Sequence, residues 1–284
     1  MAQLTVSELY RELIATLAPS LGEREAKSAA RVILEDVRGI SPTDIIINGH
    51  RTVEDITANR VRRIADAVID GEPVQYAVGS ARFYGMDFLV SPAVLIPRPE
   101  TEGLVDMIVK DYADRSDLKV LDCGTGSGCI AIALARNLAF ADVDAIDISD
   151  AAIEVANVNA KVLKTSVKVY KRDIMTLKPD NERYDIIVSN PPYISETEAA
   201  EMDKRVKDHE PRTALFVPDD NPLQFYRPIA EYASVALKSG GALYFEINPR
   251  FVDEMKSMLA QSGFNNIDTQ RDYIGRYRYI KASK

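Results

Sequence analysis

Four consecutive residues, Asn190-Pro191-Pro192-Tyr193, come directly after an apolar stretch that is typical of a buried strand. The prolines fix the backbone, so the carbonyl oxygen of Pro191 is a rigid hydrogen-bond acceptor, and the side-chain oxygen of Asn190 is a second. Two acceptors held together suit a planar NH₂ group, whose delocalised lone pair makes its nitrogen a poor nucleophile. Hydrogen bonds to both oxygens would stabilise the positive charge that develops on this nitrogen when it is alkylated. We expect Pro192 and Tyr193 to contact the same group, with the tyrosine stacked on its plane and the reaction promoted mainly by positioning; the alternative is a structural proline-rich loop.

A glycine-rich segment follows another apolar strand pattern and precedes a predicted helix; its candidate binding residues are Asp122, Gly124, Thr125, Gly126, Ser127 and Gly128. Glycines allow a tight turn and the close approach of a ligand, and the start of a helix offers free backbone N–H groups. These groups suit the methionine carboxylate of S-adenosylmethionine, whose product after methyl transfer is S-adenosylhomocysteine. A dinucleotide diphosphate competes for such a loop. The carboxylate of Asp122 repels phosphate but attracts an ammonium or sulfonium group, which favours the methyl donor.

Two further acids follow the next two strand patterns. Asp147 ends the second pattern, where a carboxylate can accept hydrogen bonds from both hydroxyls of a ribose. The alternative role, capping the next helix, suits Ser149 or Asp150 better. Asp173 follows the third pattern and is expected to accept a hydrogen bond from the adenine amino group while Ile174 packs on the ring; the alternative is an ordinary acidic loop.

Helix and strand patterns alternate from about residue 101 onward, which predicts an α/β fold with an open, mostly parallel sheet and helices on both faces. The seven strand candidates are residues 119–122, 143–147, 167–170, 185–189, 242–247, 267–269 and 277–282. Ligands of such sheets bind beyond the carboxyl ends of the strands. The glycine-rich segment and Asn190 are therefore expected side by side.

Residues 1–80 have the apolar spacing of several helices. Thr5 and Glu8 predict a capping box, and Leu9, Leu13 and Leu17 recur at helical spacing behind it. This region holds 9 basic and 12 acidic residues, and it is either a structural cap or a docking surface for a partner. Residues 81–96 are predicted to form a β-hairpin linker, and residues 97–284 the domain that binds the donor.

The composition limits the classes of function. The 284 residues carry a net charge of −8, which lowers the expectation of stable nucleic-acid binding. The two cysteines, Cys123 and Cys129, are expected to be buried thiols, and the two histidines are isolated, so no metal site is expected. The sequence shows no signal-peptide pattern and no apolar run long enough to cross a bilayer. We therefore expect a cytoplasmic protein, and by default a monomer.

Several stretches of the chain resemble the release-factor glutamine methyltransferases, also called the HemK or PrmC family. They are Gln75-Tyr76, Phe83-Tyr84-Gly85, Phe88, Leu95-Ile96-Pro97-Arg98-Pro99-Glu100-Thr101-Glu102 and Glu210-Pro211-Arg212-Thr213-Ala214-Leu215. The resemblance covers nearly the whole chain. It implies a class I (Rossmann-like) methyltransferase domain and an N-terminal helical domain that helps to dock the substrate protein.

The resemblance also implies the methyl acceptor, which is the glutamine of a Gly-Gly-Gln motif in class I peptide chain release factors. Asn190 and Pro191 would hold its side-chain amide, and Asn190 would also lie beside the donor. In the charged signature, Arg98 and Glu100 are expected to pair with each other or to fix the linker. Thr101 and Glu102 are expected to line the donor pocket.

Two alternatives stay open at this point. Adenine-amine methyltransferases of nucleic acids share the Asn-Pro-Pro-Tyr motif, but they need a basic track and usually a target-recognition insertion. A binding module that has lost its chemistry is the second alternative, and the intact motifs oppose it. The chain departs from the family pattern at Ile174, where an aromatic residue is usual, in the loop 216–221, and at Glu246-Ile247-Asn248, where glycine is the more usual ending.

Overall fold

The computed structural model describes residues 4–284, except for the side chains of Arg38 and Glu201. The chain divides into two compact units. The first runs through Ser80 and includes Lys204–His209, and the second comprises Ala81–Asp203 and Glu210–Lys284.

The α-helices of the described residues are α1 (Val6–Leu21), α2 (Glu23–Arg38), α3 (Pro42–Ile47), α4 (Asp55–Ile69), α5 (Val74–Val78), α6 (Pro99–Asp111), α7 (Cys129–Asn137), α8 (Asp150–Val162), α9 (Lys204–His209), α10 (Tyr226–Ala236) and α11 (Val252–Gln261). The strands are β1 (Ser80–Phe83), β2 (Met86–Leu89), β3 (Lys119–Cys123), β4 (Asp142–Asp147), β5 (Lys168–Lys171), β6 (Tyr184–Ser189), β7 (Ile194–Ser195), β8 (Phe216–Val217), β9 (Leu237–Glu246), β10 (Asn265–Arg271) and β11 (Tyr277–Ser283).

The first unit is a helical bundle, as its apolar spacing predicts. The capping box is confirmed, because the Thr5 side chain accepts from the backbone N–H of Glu8 while the Glu8 carboxylate accepts from that of Thr5. The leucines that follow at helical spacing are fully buried or nearly so. The short helix α9 belongs to this unit, where Arg205 forms an ion pair with Glu25 at 2.5 Å.

The predicted hairpin is present at the start of the second unit. Strands β1 and β2 pair with each other, and the two residues between them, Tyr84 and Gly85, have φ angles of +49° and +74°. Positive φ at both central residues is the geometry of a type I′ turn, which matches the twist of the flanking strands. The carboxylate of Glu102 accepts from the backbone N–H of Tyr84 at 2.7 Å and steadies this turn.

The seven-stranded sheet is confirmed. Its strand order is β10-β11-β9-β6-β3-β4-β5, and every pairing is parallel except those of β11, which runs antiparallel to both neighbours. The largest difference from the predicted bounds is at β9, which begins at Leu237 and not at residue 242.

Alternate residues of the central strands pack against helices on opposite faces of the sheet, because successive side chains of a strand point in opposite directions. Val120 and Ile186 join the cluster that contains helices α6 and α7, whereas Leu121 and Ile187 join the cluster of α10 and α11. Both faces of the sheet are therefore covered, which leaves its carboxyl edge as the place for a ligand. No helix of residues 4–284 is long and apolar enough to cross a membrane.

Candidate active site at the carboxyl edge of the sheet

The glycine-rich loop leaves the sheet at the end of β3. Its shape is fixed from β4, because the Ile146 carbonyl accepts from the N–H groups of Gly124 and Thr125 at 2.9 and 3.0 Å. Gly128 caps α7 in the left-handed conformation, with φ +82°, and an added Cβ there would lie 3.2 Å from a methyl group of Ile132 and 3.3 Å from Ala156. The loop therefore needs glycine at this position both for the turn and for the close packing of two helices.

Asp122 lies fully buried beneath this loop. One of its oxygens accepts from the Thr125 hydroxyl at 2.6 Å, while Oδ1 has no hydrogen-bond partner. Burial raises the pKa of Asp122 to about 7 against the opposing effect of Thr125, and the nearby charge of Asp147 adds to the rise. The hydroxyl of Ser127 is also buried without a partner. Unpaired buried polar atoms are rare in folded proteins, so both atoms indicate a ligand at the loop.

Asp147 ends β4 with its carboxylate held in place by backbone groups. Oδ2 accepts from the Gly126 N–H and Oδ1 from the Ser149 N–H, both at 2.9 Å. Each carboxylate oxygen has a second lone pair that can accept from a ligand hydroxyl. The Ser149 side chain caps helix α8, so Asp147 is free of that task. Asp173 accepts from the N–H of Met175 and lies on the cavity wall described below.

Asn190 follows β6, the strand that pairs directly with β3. The ends of the two strands are joined by the Ser189 hydroxyl, which donates to the Cys123 carbonyl at 2.6 Å. The Asn190 side-chain NH₂ donates to the Thr101 hydroxyl oxygen at 3.2 Å, and the Thr101 hydroxyl donates to Glu246 at 2.7 Å. The glycine-rich loop and Asn190, which we predicted to lie side by side, are therefore neighbours at one edge of the sheet.

These residues enclose a cavity of about 450 Å³. Of the predicted site residues, its wall includes Gly124, Thr125, Gly126, Ser127, Asp147, Asp173, Ile174, Asn190, Pro191 and Pro192. Asp122, Gly128 and Tyr193 are not part of the wall. Asp122 and Gly128 support the loop from beneath and behind, so they belong to the site without facing the cavity.

Tyr193 points away from the cavity, although the sequence predicted that it stacks on a substrate. Its hydroxyl donates to Glu246 at 2.9 Å and accepts from Arg278. Burial raises the pKa of Tyr193 well above its usual value, and the charge of Glu246 adds to this effect. The ring packs against the core cluster of helices α10 and α11, which explains why it is absent from the cavity wall.

The charged signature is organised differently from the expected pairing. Arg98 pairs with the fully buried carboxylate of Glu210 at 2.5 Å, and not with Glu100, which accepts from the hydroxyl of Tyr273. The other Glu210 oxygen accepts from the backbone N–H of Ile96 at 3.2 Å. Glu210 therefore fixes the linker, which is the second role that the sequence suggested for the signature. Of the two residues expected at the donor pocket, Thr101 lines the cavity. Glu102, which steadies the hairpin turn, does not.

Models of two protein families match the chain. One is described as "Methyltransferase small domain" and matches residues 101–207, and the other as "PrmC N-terminal domain" and matches residues 8–79. Relatives from several bacteria carry the name release factor glutamine methyltransferase. The protein of Bacteroides thetaiotaomicron is 42% identical and aligns over 92% of this chain and 93% of its own. Those of Flavobacterium psychrophilum and Bacillus subtilis are 38% and 35% identical, over 96% and 91% of this chain and 98% and 91% of their own.

The chain belongs to the release factor glutamine methyltransferase family. A solved structure supports the fold separately, since the 16S rRNA N2 G1207 methyltransferase of T. thermophilus, in complex with AdoMet and guanosine, superposes with a TM-score of 0.52. That protein is 19% identical, and the match covers 72% of this chain and 49% of the other. The resemblance to a family that the sequence motifs indicated is therefore confirmed.

Two polar residues that support this family member's site were not predicted. Asn159 on α8 is buried and holds three backbone groups: its Oδ1 accepts from the Leu89 N–H at 2.8 Å, and its Nδ2 donates to the carbonyls of Leu89 and Ser127 at 3.0 and 2.8 Å. Glu246, at the end of β9, is 1% exposed and reaches Asn190 through Thr101. A polar residue inside an apolar helix or strand pattern was the available signal in both cases.

Proposed function

We propose that this chain transfers a methyl group from S-adenosylmethionine to the side-chain amide nitrogen of the glutamine in the Gly-Gly-Gln motif of class I peptide chain release factors. The observation that carries the proposal is that the glycine-rich loop and Asn190-Pro191-Pro192 share one cavity wall. The names of the relatives support the same acceptor.

The chemistry of the site fits a cationic donor. The carboxylates of Asp147 and Asp173 lie on the cavity wall and that of Asp122 lies behind the glycine-rich loop, so the site attracts a cationic donor and repels an anionic diphosphate. Asp147 would hold the ribose hydroxyls, and Asp173 with Ile174 the adenine. When bound, S-adenosylmethionine supplies an electrophilic methyl group.

The acceptor side depends on two oxygens. The side-chain oxygen of Asn190 and the carbonyl oxygen of Pro191 would accept hydrogen bonds from the glutamine NH₂ and orient its lone pair toward the donor. As positive charge develops on nitrogen, these fixed dipoles stabilise it without having to reorient, and a cavity that excludes water strengthens the effect. The amide proton leaves after the methyl group has been transferred, so the site needs no strong general base.

We also propose that the helical first unit helps to dock the release factor, since its residues 8–79 match the PrmC N-terminal domain model. The net charge of −8 supports a protein that does not bind nucleic acid stably. We further propose a cytoplasmic monomer that needs no metal. Light scattering at micromolar concentration and methyl transfer in the presence of a chelator test the last two statements directly.

A labelling experiment tests the proposed function. The protein is incubated with donor carrying a radioactive methyl group and with a class I release factor, the same factor with the motif glutamine changed to alanine, or DNA. Label on the native factor alone is the expected result, and label on DNA or on the alanine variant contradicts the proposal. Asn190→Ala should abolish transfer while keeping most of the donor affinity, whereas Asn157→Ala, at an exposed position on α8, should leave both unchanged.

A further inference from the structure

The orientation of the Asn190 amide decides whether the site works. An asparagine side chain presents an acceptor oxygen at one end and an NH₂ donor at the other, and the two ends have nearly the same shape. Only the oxygen can hold the NH₂ group of a glutamine. A flipped amide would direct N–H against N–H and would lose the acceptor that the reaction requires.

Thr101 selects one of the two orientations. A threonine hydroxyl has a single proton, and that of Thr101 is donated to Glu246 Oε2 at 2.7 Å. Toward Asn190 it therefore presents only a lone pair, which accepts from Nδ2 at 3.2 Å. The acceptor oxygen of Asn190 is thereby turned away from Thr101. Thr101 and Glu246 are 2% and 1% exposed, so bulk water does not offer the hydroxyl another partner.

Glu246 is itself held as an acceptor. Its second oxygen, Oε1, accepts from the Tyr193 hydroxyl at 2.9 Å. The hydroxyl oxygen of Tyr193 accepts from the guanidinium of Arg278, which is paired with Asp272 at 3.2 Å. In this series of hydrogen bonds, each hydroxyl proton has a single acceptor. The direction of every hydrogen bond between Arg278 and Asn190 is therefore defined.

We propose that Thr101 and Glu246 are positioning residues that set the orientation of the Asn190 amide, so that its oxygen faces the methyl-accepting NH₂ group. The inference rests on the proposed function for the identity of the acceptor. It assigns roles to two buried residues that lie 89 and 56 positions from Asn190 in the sequence. Both act on the reaction through the Asn190 side chain.

The first test removes the hydroxyl while keeping the shape. Thr101→Val should lower kcat by roughly 10- to 100-fold, the range for losing a residue that orients a functional side chain from behind. The donor dissociation constant should change less than about twofold. Thr101→Ser restores the hydroxyl and should return kcat to within about threefold of the original. A purely structural role for the methyl group of Thr101 predicts the opposite order, with the valine variant the more active.

The second test reverses the direction of the hydrogen bonds. In Glu246→Gln, the amide oxygen still accepts from Tyr193, so the NH₂ faces Thr101 and turns the threonine proton toward Asn190. That proton flips the Asn190 amide, and kcat should fall about tenfold or more. Adding Asn190→Asp provides an acceptor on both sides, so the double variant should be about tenfold more active than Glu246→Gln alone. Independent structural damage predicts a double variant worse than either single one.

A third measurement does not depend on the methyl acceptor. NMR of the ¹⁵N-labelled protein resolves the side-chain NH₂ of Asn190, which is assigned by its loss in Asn190→Ala. Its hydrogen-bonded proton should exchange with solvent at least tenfold faster in Thr101→Val than in the original protein. If the original protein fails to label a release factor, the proposed function falls while this measurement still decides the inference. Unchanged exchange, or unchanged kcat in Thr101→Val, overturns the inference itself.

Discussion

Replacing Asn159 by leucine should unfold the protein at a lower temperature and weaken donor binding together. Leucine has the same number of non-hydrogen side-chain atoms and the same branching as asparagine, so the substitution removes hydrogen bonds without opening a cavity. It strips partners from the N–H and carbonyl of Leu89 and from the carbonyl of Ser127. The first two groups belong to the hairpin and the third to the glycine-rich loop, so one side chain supports both.

The magnitude follows from the groups left without partners. A buried donor or acceptor that loses its partner costs about 1–3 kcal/mol, and the Ser127 contact is fully buried while the two Leu89 contacts are partly buried. Because such contributions are not additive, we expect a loss of about 3 kcal/mol in the free energy of unfolding. For a unit of this size, that loss corresponds to a fall in Tm of about 6–12 °C.

Scanning calorimetry measures Tm, and titration calorimetry measures donor affinity. The affinity should fall roughly tenfold, a change of about 1.4 kcal/mol, because the loop loses its hydrogen bond at Ser127. Asn157→Leu is the matched control, since Asn157 lies on the exposed face of the same helix. A fall in Tm with unchanged donor affinity would show that Asn159 does not position the loop. Equal losses in the two variants would refute the hydrogen-bond argument altogether.

Three further outcomes are expected. Donor affinity should fall by up to about tenfold between pH 8 and pH 6, because the pKa of the buried Asp122 is raised to about 7. Its carboxylate form, dominant above that pH, lies behind the glycine-rich loop and attracts the cationic donor without touching it. In titration calorimetry, Asp122→Asn should bind the donor equally at both pH values. Gly128→Ala should lower the free energy of unfolding by about 1–2 kcal/mol in urea denaturation, since φ is +82° and the new Cβ meets a methyl carbon at 3.2 Å, and an unchanged midpoint contradicts the packing. Glu210→Ala should lower the free energy of unfolding by about 2 kcal/mol, less than for a fully buried pair because the Arg98 side chain is 32% exposed. Adding Arg98→Ala should lower it little further, and strict additivity in this double-mutant cycle would show that the pair does not interact.

The sheet and the two motifs were predictable from local patterns. Alternating helix and strand signals implied parallel strands, and the carboxyl ends of parallel strands meet at one edge. Residues that follow β3 and β6 therefore had to meet, whatever the details of the loops. The shape of the glycine-rich segment was also predictable, because a tight turn before a buried helix needs residues that tolerate positive φ. Gly124, Gly126 and Gly128 all have positive φ in the structure.

The direction of Tyr193 was not predictable in the same way. As the fourth residue of a motif at a sheet edge, it had an equal claim to stack on the substrate or to turn inward. The structure turns it inward because Glu246 and Arg278 provide partners for its hydroxyl. The partner of Arg98 was not predictable from the sequence either, because Glu210 lies 112 residues away and only the tertiary structure brings the two together.

By itself, the sequence determined which segments form the sheet, where the loop and the Asn-Pro-Pro-Tyr motif leave it, and which acids stand at the ends of its strands. These features depend on periodicity and on backbone preferences that act over a few residues. Only the tertiary structure decided which buried polar groups share protons across the site, through Thr101, Glu246 and Asn159. Hydrogen bonds inside a protein require distance and direction between atoms far apart in the chain, and no local pattern specifies either.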